Sequence, residues 1–337
     1  MPSTTILDLP GDLFVDICKN LQTVENVLEL QNSHPILNAK INSNFWRCPK
    51  GLLLGVKNTS QLVIDADWKL EITKPTLRKM ICIVSKTRNL HELVLEKGDP
   101  RLKDETIEKL LGFIQDHTSI KLMNIMAVYK KPELFCRRDK TSWPTKKIHD
   151  HLCDLIKHNS KTLLFFGLGV DNSDDYVTVE KSHHDQLQIS YNYDSTWNSR
   201  HIIFYPLLSS FSFGTTNKTL IINLRTVPSM AHILVDHCVL ACRSNILEHI
   251  NVKFSLKEEK TDCEIPSFEH FYNIKHLKTL VWSFGTQIPE DKIEQIFCPV
   301  GTCPYDIFVD TPKLKKTYPG TRTNTKIESN QLLKCFS

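Results

Sequence analysis

The chain has 337 residues, 41% hydrophobic and 24% charged, with a formal net charge of +4. This is ordinary globular usage, enough for one extended domain or two compact ones. It excludes wholesale disorder, and so mild a charge does not by itself imply a nucleic-acid partner. No apolar run approaches the roughly 20 residues of a spanning helix. The start of the chain carries Asp8, Asp12 and Asp16 without a basic flank and does not read as a signal peptide. Eleven cysteines, an odd number without regular close spacing, suit a reducing compartment. The expected location is therefore cytoplasmic and/or nuclear, with no membrane partner.

After Leu9-Pro10, the residues Leu13, Ile17 and Leu21 recur at four-residue intervals. That spacing predicts a helix started by Pro10, with Asp12 near its positive end. Thr23 is placed to cap a second helix that carries Val24, Val27, Leu28 and Leu30. Pro35 opens a third helix, with Leu37, Ile41 and Phe45 on one stripe and Trp46 before the Cys48-Pro49 break.

The run Leu9-Pro10-Gly11-Asp12-Leu13, then Ile17 and Leu21, closed by Phe45-Trp46, resembles an F-box over residues 5–49. F-box modules are trihelical and bind a Skp-type adaptor. The resemblance implies that Leu9, Pro10, Leu13, Ile17, Leu21, Leu28 and Trp46 form the adaptor-binding set, divided between the module's core and the interface. Gln31-Asn32-Ser33-His34-Pro35 departs from the pattern, standing where the family often has a small residue followed by a basic one. The alternative is that the three helices only cap a repeat array, which needs polar-faced ends.

Beyond Trp46 short apolar strands alternate with amphipathic helices, the pattern of an α/β fold with a parallel sheet. Residues 51 to 85, with strands at Gln61–Asp65 and Lys69–Thr73, read as a divergent first unit. Leu90-x-x-Leu93-x-Leu95 leads to a helix over Asp104–His117, then Ile120-x-x-Met123-x-Ile125 and a helix from about Lys146 to His158. Strands follow at Lys161–Leu168 and Thr219–Leu224, a helix at Pro228–Cys242, and strands at Leu247-x-x-Ile250-x-Val252 and Leu277-x-x-Leu280-x-Trp282. A helix near Pro289–Phe297 closes the series. The spacing resembles an irregular leucine-rich-repeat solenoid over residues 50–298, without a visible asparagine ladder.

Within it, Tyr176–Glu180 and Leu187–Tyr193 alternate as a hairpin around Ser182–Asp185. Tyr191, Tyr193 and Trp197 are the candidate target-binding residues, since aromatics dominate binding hot spots. The competing assignment is that they cover a sheet face. Residues 299–337 read as a partly flexible tail, with basic residues and no acidic ones from Lys313 to Lys326.

Signatures of catalysis are not found. Gly167-Leu168-Gly169 has Asn172 at the third glycine position, and neither a phosphate loop nor a Gly-x-Ser-x-Gly elbow is present. His149, His151 and Cys153, the Cys238/Cys242 pair and the Cys298/Cys303 pair make no complete metal set. On a helix His149 and His151 diverge. No cofactor, metal or catalytic residue is expected.

The expected function is a non-catalytic one: substrate-recognition subunit of a Skp-cullin-F-box ubiquitin ligase. Such a subunit holds an unknown target protein near a conjugating enzyme recruited elsewhere on the cullin scaffold. The alternative is a non-degradative repeat scaffold.

Overall fold

The computed structural model describes residues 5–57, 59–73, 75–96, 104–115, 117, 119–129, 146–170, 176–181, 185–192, 217–226, 246–256, 274–285, 305–311 and 315–319, together with 210, 235 and 271. The chain is α/β, with mostly parallel strands and few helices, and divides into two compact units, Met1–Ser173 and Asp174–Ser337.

The first unit opens with three short helices: α1 (Gly11–Lys19), α2 (Val24–Ser33) and α3 (Pro35–Ser43). Each starts where local chemistry provides. Pro10 immediately precedes α1, the Thr23 hydroxyl accepts from Asn26 N–H, and Pro35 is at the first turn of α3, where His34 Nδ1 accepts from Ile36 N–H. Six strands follow: β1 (Gly51–Val56), β2 (Thr59–Val63), β3 (Lys69–Glu71), β4 (Glu92–Glu96), β5 (Leu122–Tyr129) and β6 (Phe165–Val170). Their order is β6-β5-β4-β1-β2-β3.

Strands β6, β5, β4 and β1 are parallel, whereas β2 runs antiparallel to both of its neighbours, β1 and β3. The stretch read as a first repeat is thus an antiparallel edge, because the two-residue step from β1 to β2 is too short for a crossover. It turns at Lys57 (φ 49°) after Gly55 (φ 73°), a backbone that glycine adopts freely.

Helices α4 (Leu77–Lys86), α5 (Asp104–Ile114) and α6 (Lys146–Asn159) are the crossovers. They bury Met80, Ile83, Leu110, Leu111, Leu152 and Leu155, while alternate strand positions Leu52, Leu93, Leu95, Met123, Ile125 and Phe166 are at most 2% exposed. Asn159, fully buried at the end of α6, stitches the turns together. Its Oδ1 accepts Ile120 N–H (2.9 Å) and its Nδ2 donates to the carbonyls of His117 (2.7 Å) and Leu155 (2.9 Å).

The second unit contains β7 (Tyr176–Lys181), β8 (Gln186–Asn192), β9 (Thr219–Thr226), β10 (His249–Leu256), β11 (Thr279–Phe284), β12 (Asp306–Asp310) and β13 (Lys315–Tyr318), in the order β13-β12-β11-β10-β9-β8-β7. The β7/β8 hairpin is antiparallel as its alternation predicts; residues 182–184 of the expected turn lie outside the described ones. From β8 to β12 the pairing is parallel and in register: Ile189, Ile222, Val252, Trp282 and Val309 form one buried row.

Strands β12 and β13 correct the reading of residues 299–337 as a tail. Asp306–Asp310 is nearly all buried and Lys315–Tyr318 pairs with it antiparallel. Lys315 and Lys316 of the expected solvated run belong to an edge strand, where they discourage further pairing. Residues 320–337 lie outside the described ones, as do the expected helices at Pro228–Cys242, apart from helical, buried Val235, and Pro289–Phe297.

Candidate functional site

In the N-terminal module α1 and α2 both pack against α3. The inward residues of α1 are Phe14 and Cys18, both fully buried, beside Val24, Val27, Leu37, Ile41, Phe45 and Trp46. Burial pushes the Cys18 thiol up to about 12, so it behaves as an apolar filler. The Leu13–Ile17 stripe is on the other flank: Leu13 is 45% exposed and Ile17 half-buried. A four-residue spacing marks the outer row as well as the inner one, and Leu21 falls beyond the end of α1.

The residues expected to bind an adaptor therefore divide. Trp46, 1% exposed, belongs to the core, which corrects its place in the set. Its indole N–H donates to Gln31 Oε1 (2.8 Å), and Gln31 Nε2 reaches Asn38 Oδ1 (3.0 Å) and Asn42 Oδ1 (3.3 Å). The residue that departs from the F-box pattern is a buried polar hub. Pro10 is exposed, and Leu9, Leu21 and Leu28 are half-buried.

Two further residues join the exposed apolar set, Ile6 (44%) and Ile36 (45%). Sequence reasoning missed both. The available signal was for Ile36: an apolar residue off the Leu37–Ile41 stripe of a helix with little else to bury it.

The exposed segment is held in place from behind. Lys40 Nζ donates to the carbonyls of Leu7 and Leu9 (both 2.7 Å) and lies 5.3 Å from the Phe14 ring centre. Asp8 closes a capping box on Thr5, whose backbone N–H and then hydroxyl hold the carboxyl below its usual range. A Cβ on Gly11 would sit 2.7 Å from the end of the Asn44 side chain, which would have to turn aside to admit it.

The module is also tied to the edge of the first unit's sheet. Thr23 bridges Glu71 of β3, Gln22 O accepts Glu71 N–H (2.9 Å), Glu25 pairs with Lys79, and Lys19 pairs with Asp65 (3.1 Å). That last bond holds the Asp65 carboxyl below its usual value.

Of the target-binding candidates, Tyr191 is 2% exposed and part of the second unit's core, so it offers no free surface. Tyr193 and Trp197 lie outside the described residues. On α6, His149 Nε2 is 3.6 Å from Cys153 Sγ, whereas His151 Nδ1 is 3.1 Å from Gln115 Oε1. The two histidines diverge as helical geometry requires. Cys238, Cys242, Cys298 and Cys303 lie outside the described residues, and among the described ones no group of three His, Cys, Asp or Glu could hold a metal ion. Among them too, no helix is long and apolar enough to cross a membrane.

Comparison of the chain with protein-family models finds no match, and comparison with curated proteins finds none.

Proposed function

We propose that the chain is the substrate-recognition subunit of a Skp-cullin-F-box ubiquitin ligase. The Skp-type adaptor docks on the apolar residues that α1, α3 and the preceding turn leave in water. The observation that carries this reading is the exposure of Leu13 and Ile36, with Ile6, on a module whose own core is already filled. Covering what remains exposed of each would add only part of the roughly 1.5–3 kcal/mol of a complete burial, and exposed apolar patches mark binding surfaces. The F-box-like run Leu9-Pro10-Gly11-Asp12-Leu13 lies in the same segment.

The rest of the chain, as an irregular leucine-rich-repeat-like solenoid, holds the target. Its support is the in-register parallel pairing with a recurring step, for example thirty residues between Glu248 and Lys278. In this role the chain is not an enzyme and needs no cofactor. It raises the local concentration of target lysines near the conjugating enzyme.

A second reading, a non-degradative scaffold in which the helices only cap the sheet, has its own support. Thr23 bridges Glu71 on β3, an edge strand, and covering an edge is what a cap does. Co-purification with the adaptor separates the two. The expected result is retention by the wild-type chain and loss by Leu9→Ala plus Pro10→Ala with the thermal transition unchanged. Undiminished retention by that variant removes the assigned interface, and failure of the wild type to bind leaves the cap.

A further inference from the structure

Residues at the start of neighbouring parallel strands form columns, because each donates its backbone N–H to the carbonyl of the equivalent residue alongside. In the first unit His91 donates to Lys50 (2.6 Å), Lys121 to His91 (2.8 Å) and Leu164 to Lys121 (2.7 Å). In the second unit Lys218 donates to Asp185 (2.9 Å), Glu248 to Lys218 (2.8 Å), Lys278 to Glu248 (2.8 Å) and Asp306 to Lys278 (2.9 Å). The residues of a column thus stand about 4.8 Å apart.

The second unit's column alternates in sign, and Glu248 sits between its lysines, 3.6 Å from Lys218 and 2.5 Å from Lys278. The first unit's column does not alternate. Exposed Lys50 and Lys121 flank His91, and burial together with these two ammonium charges holds the imidazole below its usual value. No carboxylate is among the charges that act on it among the described residues. Exposed Arg47 and Arg88 lie in the adjoining loops, which Asn89 joins by donating to Arg47 O (3.3 Å). Lys50 and Lys121 thus stand two column steps, roughly 10 Å, apart on either side of the imidazole. Among the described residues neither is joined to a carboxylate, whereas Glu248 pairs with both of its lysines.

We propose that the Lys50–His91–Lys121 column, with Arg47 and Arg88, is a docking surface for an acidic, Asp/Glu-rich segment of a partner protein. The molecule contains its own precedent in Glu248, a carboxylate seated between two column lysines, and this favours carboxylates over phosphate as the complementary group. The surface goes beyond adaptor docking. None of its residues is among the exposed apolar ones on α1 and α3, and it operates whether or not the adaptor binds.

The test is fluorescence anisotropy of the full chain with a labelled Glu/Asp-rich peptide, its Gln/Asn counterpart, a phosphoserine peptide and a single-stranded oligonucleotide. The acidic peptide is expected to bind, to weaken roughly tenfold or more for Lys50→Glu plus Lys121→Glu, and to weaken as salt rises. Lys253→Glu, a single substitution of the same kind on β10, is expected to leave binding intact. Circular dichroism shows whether each variant is folded, and Lys50→Gln plus Lys121→Gln, expected to weaken binding by less, repeats the test without added negative charge. Equal affinity of the Gln/Asn peptide, or undiminished binding by both folded double variants, overturns the site. Tighter binding of the phosphopeptide or oligonucleotide overturns the choice of a carboxylate-bearing partner.

Discussion

The N-terminal module and the parallel-strand region of the first unit are built from the same apolar residues but dispose of them differently. In the strands, alternation sends Leu93, Leu95, Met123 and Ile125 to one face, where α4, α5 and α6 cover them to 2% exposure or less. In the module, three helices of nine or ten residues fill their shared centre with Phe14, Cys18, Phe45 and Trp46 and have no layer left to cover Leu13 or Ile36. A strand has one buried face set by its period of two, whereas a short helix can carry apolar residues on adjoining flanks, one of which stays in water.

The sharpest way to break this contrast is to delete matched side chains. Leu93→Ala is expected to cost about 2–5 kcal/mol of stability, as buried leucine deletions do. Leu13→Ala should stay within about 0.5 kcal/mol of wild type, since it is half exposed. Urea unfolding of both variants measures this, and equal losses would mean that Leu13 is packed and not presented. Next in size, Asn159→Ala leaves Ile120 N–H without its buried partner and removes the bond to the His117 carbonyl, at an expected cost of about 2–3 kcal/mol. Its effect should appear as faster hydrogen exchange at Ile120, and unchanged exchange there would show that the stitch is dispensable.

The smallest effect concerns pH. Hydrogen bonding to Lys278 is the leading cause that lowers the Glu248 carboxyl from its usual 4.5. A lowered carboxyl pKa contributes stability above the unfolded value, and that stability is lost as pH falls through the folded one. Wild type should therefore exceed Glu248→Gln in melting temperature near neutrality, and the gap should close as the pH drops below about 4. A gap that persists in acid would assign the contribution to packing.

Much of the fold was legible because local rules and tertiary packing agree. Thr23 and Pro35 begin helices where capping and the proline ring require, and the Leu90, Ile120, Leu247 and Leu277 runs lead into parallel strands. The antiparallel β2 and β3 were visible as apolar runs but not in direction, since direction is set by the length of the connection and the neighbour it finds. Helix α4 was overlooked although Leu77, Met80, Ile83 and Val84 recur at helical spacing. Strand β13 was hidden by lysines that read as solvated charge, and β12 by its place in a stretch read as a tail.

The site divides in the same way. The Leu9-Pro10 segment and the apolar content of the first helix were present in the residue order alone, which is why the module could be found without any fold. Which of those residues faces water depended on what else filled the centre. Phe14 and Trp46 occupy it, the latter anchored by Gln31, and Leu13, Ile17 and Ile36 are left outside. The Lys50–His91–Lys121 column, unneutralised among the described residues, depended wholly on tertiary structure. Its members are about thirty or more positions apart in sequence, and only parallel pairing sets them side by side. Periodicity is a local property that a single chain segment carries. Burial and charge complementarity belong to neighbours that only the folded sheet brings together.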